Sequence, residues 1–121
     1  MTTTTSRVAR AALGVPFLWL GYEAAAEPGG RVAAAADLGL PRAEAAVRFN
    51  GAAMALGGAA LVTGVLPRAA AWGLVASLVP TTVAGHAFWK DDDPATRKAN
   101  RIQCLKNLGL AGGLLLVASE S

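Results

Sequence analysis

The stretch at residues 80–94, PTTVAGHAFWKDDDP, decides how the whole chain is read. It carries the single histidine, His86, at the end of an apolar run, then Trp89, Lys90 and three consecutive aspartates. In one reading His86 does chemistry; in the other it is the polar group at which an apolar segment meets water. The surrounding sequence favours the second. Residues 69–89, AAAWGLVASLVPTTVAGHAFW, are uncharged when His86 is neutral, and so are residues 49–67, FNGAAMALGGAALVTGVLP. Each run approaches the roughly 20 residues that cross a hydrocarbon layer.

Composition agrees. Of 121 residues, 54% are hydrophobic and only 16% charged, and the mean hydropathy is +0.43. An ordinary soluble domain carries about a quarter charged residues, so oil rather than water is the expected surrounding of a single domain over residues 1–121. The net charge of +3 does not indicate nucleic acid, because the basic residues flank apolar blocks instead of lining one face. Cys104 stands alone, which excludes an intrachain disulfide and a C-x-x-C redox or zinc motif.

The expected fold class is all-α, a four-helix transmembrane bundle with short loops and helices at about 8–24, 41–66, 69–89 and 101–118. The N-terminal apolar run follows Arg7 and Arg10, as in a signal peptide, but the rest of the chain reads as membrane too, and a retained helix is expected. Pro28, Gly29 and Gly30 break the first helix. Residues 31–38 read as a short alanine-rich helix stopped at Gly39, and Pro41 suits the first turn of the next helix. Glu44 and Arg48 are four apart on one face of its charged opening. Asp93 is placed to cap the polar stretch ATRKANRIQ, which runs on into the last helix. Trp72 and Trp89 fall at opposite ends of the third helix, where interfacial aromatics belong. The charge signals for orientation oppose one another: the first and third loops are rich in Lys and Arg, yet Arg7 and Arg10 lead the first helix and Glu23 and Glu27 follow it.

Pro80 interrupts the backbone ladder in mid-helix, and Ser77, Thr81 and Thr82 are placed to satisfy the freed groups. Thr82, His86 and Trp89 then recur at spacings of four and three, which on a continuous helix puts them on one face. With Lys106 and Asn107 at the start of the last helix they form the expected ligand-binding cluster near one membrane surface, and His86 is the catalytic candidate because an interfacial histidine titrates near neutral pH. The structural alternative, in which His86 and the threonines only tie helix ends together, is the weightier one. No metal site is expected: His86 lacks a ligand partner at helical spacing, and residues 91–93 read as a solvated, self-neutralised acidic loop. Gly57, Gly58, Gly109 and Gly113 are assigned to helix packing, since small residues let helices approach in lipid.

The set GGAALVTGVLPRAAAW, TTVAGHAFW, DDDP and KNLGLAGGLLL, preceded by GLP at residues 39–41, resembles the DoxX family of small four-helix bacterial membrane proteins, especially its actinobacterial members, from about Arg10 to Ala118. The resemblance implies a multi-pass protein of the bacterial plasma membrane. It also implies a histidine-aromatic element at His86, Phe88 and Trp89 and a lysine-asparagine element at Lys106 and Asn107. Family members often carry an acid where this chain has Met54, which weakens an intramembrane proton or cation site. The expected role is an accessory or scaffold subunit of a quinone- or thiol-linked redox system, with lipid, a soluble redox enzyme and further copies of the chain as partners. The alternatives are direct handling of quinone as cofactor or substrate, and transport of a small molecule or lipid.

Overall fold

The computed structural model describes residues 3–120, Ala84 by its backbone alone. Among them the fold is all-α, with five α-helices and one 3-10 turn: α1 (Thr4–Ala26), α2 (Arg31–Asp37), α3 (Ala43–Thr63), α4 (Pro67–Gly85), the turn Phe88–Lys90 and α5 (Pro94–Ala118). Each boundary has a local cause. Thr3 and Ser6 form a reciprocal capping box at the start of α1, satisfying backbone donors that the first turn leaves free. Gly39 and Gly64 end α2 and α3 with φ of +80°, a conformation open to glycine and costly to most side chains. Asp93 accepts from the Thr96 amide at 2.9 Å and opens α5.

α1 and α5 begin earlier than expected, at Thr4 and Pro94 rather than near residues 8 and 101, and three further boundaries differ. Pro41 lies in the turn before α3, with Arg42 in the left-handed region as the helix cap. α3 closes at Gly64 rather than near residue 66, because the Gly64 and Val65 amides both turn back to the Ala60 carbonyl. α4 stops at Gly85: the His86 amide bonds the Thr82 carbonyl, and the chain passes into the 3-10 turn. The apolar run 69–89 is therefore split between a helix and a turn. One helix among the described residues, α3, is long and apolar enough to cross a membrane by length and composition. The other long helices are diluted by Arg7, Arg10 and Glu23 in α1, by the early end of α4, and by the charged first half of α5.

The core joins Phe17 of α1, Leu61 of α3, Ala71, Leu74 and Leu78 of α4, and Leu114, Val117 and Ala118 of α5. α1 and α3 are antiparallel and meet backbone to backbone. A Cβ on Gly14 would lie 2.6 Å from the Gly58 carbonyl oxygen, and one on Gly21 would lie 2.7 Å from the Gly51 oxygen. The two glycine pairs, seven residues apart on each helix, set one register along the seam. On the adjacent face, a Cβ on Gly57 would lie 2.8 Å from the Leu74 side chain of α4.

Arginines fasten helix ends. Nη1 of Arg48 donates to the Ala25 carbonyl at 2.7 Å and the Ala26 carbonyl at 3.3 Å, while its other nitrogens hold Glu44. At the opposite end of the bundle, Nε of Arg68 donates to the Ala118 carbonyl at 3.2 Å. Both cations thus sit on helix C-termini, where unpaired carbonyls concentrate negative potential.

Large apolar side chains remain uncovered around all four long helices: Val15 in α1, Leu56 at 73% exposure in α3, Trp72 and Val79 in α4, and Leu108 and Leu116 at 69% and 71% in α5. Only 17% of the apolar window in α3 is buried inside the fold, the reverse of what a core helix of a water-soluble protein shows.

Candidate functional site

α5 lies along α4 through one continuous face. Asn100, Gln103, Cys104 and Asn107, at i, i+3, i+4 and i+7, are all half-buried, and the same face continues through Leu110, Ala111, Leu114, Val117 and Ala118. This is the helical stripe expected of a packed surface, polar in its first two turns and apolar beyond.

The polar half makes two links to α4. Nδ2 of Asn107 donates to Oγ1 of Thr82 at 2.9 Å, and that hydroxyl donates onward to the Leu78 carbonyl at 2.7 Å. Thr81 bonds the carbonyls of Ser77 and Leu78, at 2.9 and 3.0 Å. The threonines beside Pro80 thus bond the carbonyls of Ser77 and Leu78, not the Ala76 carbonyl whose donor the proline removes. Two turns earlier in α5, Nδ2 of Asn100 donates to the Asp91 carboxylate at 2.8 Å, which leaves Oδ1 as an acceptor facing Nδ1 of His86 at 3.4 Å. That arrangement calls for a proton on Nδ1 of His86 and leaves Nε2 free to accept in the neutral ring.

Of the five residues expected to converge, Thr82 and Asn107 are in direct contact. His86 sits at the same α4–α5 seam but pairs with Asn100, outside the helix that was to carry it. Trp89 lies on the 3-10 turn, half exposed, its ring edge-to-face with Phe88 at 5.4 Å. Lys106 is exposed: its neighbour Asn107 occupies the seam, and one step along a helix turns a side chain about 100° away. The expected convergence of Lys106 with His86 and Trp89 is not what this geometry gives.

The aspartates each have a separate occupation. Asp91 holds Asn100, Asp92 is exposed, and Asp93 caps α5. The Thr96 backbone amide, then its hydroxyl, hold the Asp93 carboxyl below the usual range. No three His, Cys, Asp or Glu side chains come together as a metal-binding group among the described residues. Of the glycines assigned to packing, Gly58 faces α1 and Gly57 faces α4, a Cβ on Gly113 would lie 3.5 Å from Leu13, and Gly109 has open space where a Cβ would stand. Gly109 therefore makes no close helix contact in this chain.

Two features escaped the sequence reading. Gly14 and Gly21, the α1 halves of the tightest seam, are lone glycines in an apolar run, and only a seven-residue spacing matching Gly51 and Gly58 points to them. The second is a polar link within the apolar layer: Oγ of Ser77, 8% exposed, donates to Oδ1 of Asn50 at 2.7 Å, and Nδ2 of Asn50 points to the Met54 sulfur at 3.6 Å.

A small helical protein whose long helices expose apolar side chains between charged ends, with polar groups drawn inward to seams, has the organisation of a small membrane protein. The DoxX family profile matches residues 6–87, more than half of the chain. The protein belongs to the DoxX family, whose members are small membrane proteins. The match ends beside His86, so α5 and its Asn100, Lys106 and Asn107 lie beyond it, a narrower span than the resemblance suggested. No curated protein matched the chain, and neither did any solved structure.

Proposed function

We propose that the chain is a multi-pass protein of the bacterial plasma membrane, a bundle of α1, α3, α4 and α5 serving as an accessory or scaffold subunit for a membrane-associated, quinone- or thiol-linked redox system. One observation carries the membrane part: apolar side chains are exposed on all four long helices, between charged ends in α1, α3 and α4 and mainly beyond the charged first half of α5. Soluble monomers rarely expose large contiguous apolar patches, whereas lipid chains cover such side chains.

The pairing within the seam supports a scaffold over a catalyst. Thr82, Asn107, His86, Asn100 and Asp91 direct their hydrogen bonds at one another, which fastens α4 to α5 and fixes the 3-10 turn. That turn, with Trp89, Lys90 and Asp92, adjoins the exposed Arg97, Lys98 and Arg101 of α5. Together they make a charged, aromatic-edged platform at one end of the bundle, suited to a soluble partner. Direct quinone chemistry at His86 and Lys106 gains no support from side chains that sit on different faces.

Affinity capture from detergent-solubilised membranes tests the role. The scaffold reading expects a redox enzyme to co-purify with the wild type and to be lost when Lys98 and Arg101 are both changed to Glu. Recovery of the chain alone, or quinone co-purifying stoichiometrically and lost in His86→Ala, counts against it.

A further inference from the structure

At the end of the bundle opposite His86, a cleft of about 290 Å³ opens between the start of α1 and the end of α5. Its walls are Leu13, Leu116 and Val117, and its polar groups are Ser6, Arg10 and Glu120. Arg10 is unusual in this protein. Its Nε is buried without a hydrogen-bond partner, and its guanidinium reaches toward Gly64 at the end of α3: a Cβ there would lie 3.0 Å from Nη2. Arg10 and Glu120 line one cleft, yet they are not an ion pair; the salt bridge among the described residues is Arg48–Glu44. Arg10 as a whole is half-buried, and a cation and an anion that line one cleft without pairing are matched by a ligand bearing both charges.

We infer that this cleft binds the headgroup of a zwitterionic aminophospholipid, the phosphate on Arg10 and the primary ammonium on Glu120, with the lipid chains lying along Leu13, Leu116 and Val117. Guanidinium suits a phosphate because its planar set of donors matches the oxygens. The size fits: about 290 Å³ is near the lower end of small-ligand pockets, in keeping with a small polar head. The level fits too. The Arg68 bond to the Ala118 carbonyl places the end of α5 beside the start of α4, so Arg10 and Glu120 lie where the apolar belt gives way to charged helix ends.

The inference rests on the membrane reading, and one preparation separates the two. Detergent-purified wild type, Arg10→Gln and Glu120→Gln are incubated with phosphatidylethanolamine and phosphatidylglycerol of identical chains, and the lipids retained are read by native mass spectrometry. Wild type is expected to retain the ethanolamine lipid in preference. Arg10→Gln is expected to lose about tenfold in retention of both lipids, the worth of one charge-assisted bond. Glu120→Gln removes an exposed terminal carboxylate that no helix contact depends on, and is expected to erase the preference while still retaining lipid. Equal retention of both lipids by wild type, a preference for phosphatidylglycerol, or a preference unchanged in Glu120→Gln overturns the proposal while leaving the membrane reading intact. A wild type that stays monodisperse after detergent removal overturns the membrane reading and the proposal with it.

Discussion

The α1–α3 and α4–α5 seams solve the same problem by opposite means. Between α1 and α3, Gly14 and Gly21 face Gly58 and Gly51, so the two backbones touch and van der Waals contact does the holding. Between α4 and α5, half the stripe is polar, and Asn107 to Thr82, with Asn100 facing His86 at the end of α4 and holding Asp91 of the connecting loop, supply hydrogen bonds instead. In lipid, where no hydrophobic force drives helices together, close packing of small residues and interhelical hydrogen bonds are the two sources of association. The first is intolerant of added volume. The second is built of polar side chains and carries His86.

The contrast sets the order of expected effects. Gly58→Leu strikes the tighter seam: its side chain would begin 2.6 Å from the Gly14 carbonyl oxygen and closer still to the Leu18 amide. A loss of at least about 3 kcal/mol is expected, the upper range for overpacking, read as failure to resist unfolding by denaturing detergent. Asn107→Leu removes one interhelical hydrogen bond and frees Thr82, which retains its bond to Leu78. The expected loss is about 1 kcal/mol, in line with such bonds in lipid, measured in the same assay. Should the two variants prove equally damaging, the distinction between the seams fails.

The cap of α5 sharpens the comparison by pH. Asp93 has its carboxyl pKa lowered by the Thr96 amide and hydroxyl. A depressed folded-state value means that the ionised form stabilises the fold. The contribution is fully present above the unfolded value of roughly 3.9 and is lost as pH falls through the lower folded value. Amide protection in the first turn of α5, taken relative to the intrinsic exchange rate at each pH, should therefore fall on acidification below about pH 4, and Asp93→Asn should flatten that change while protection along α1 and α3 keeps its wild-type profile. The smallest effect belongs to Gly109→Ala. With open space at the Cβ position, the substitution is expected to be neutral or stabilising by up to about 1 kcal/mol through helix propensity, whereas Gly51→Ala, facing the Gly21 oxygen at 2.7 Å, is expected to destabilise.

Much of the fold was legible because it is written locally. Uncharged runs marked α3 and α4, the Pro28–Gly29–Gly30 break and the alanine run marked α2, and Asp93 before Pro94 marked the start of α5. What escaped depends on register between distant segments. Gly14 becomes meaningful only once Gly58 is known to face it. Arg48 looks like a partner for Glu44 until the Ala25 carbonyl appears beside it. Lys106 drew attention as a charge in an apolar approach, whereas the half-buried stripe was Asn100, Gln103, Cys104 and Asn107; counting the i, i+3, i+4, i+7 pattern backward from Leu114 would have found it. Helix continuity through His86 was assumed from apolar composition, which does not report where a backbone turns.

The central claim is that lipid surrounds all four long helices, although α3 alone meets the length and composition expected of a span. Site-directed labelling in nanodiscs tests it most directly. In a Cys104→Ser background, single cysteines replace Val15, Leu56, Val79 and Leu116, one outward apolar position on each helix, with Arg97 as the solvent-facing control. A membrane-impermeant maleimide is expected to label position 97 and to leave the other four unmodified until the protein is denatured. Rapid labelling at Val15, Val79 or Leu116, with Leu56 alone protected, would contradict a bundle immersed in lipid and leave a single crossing helix.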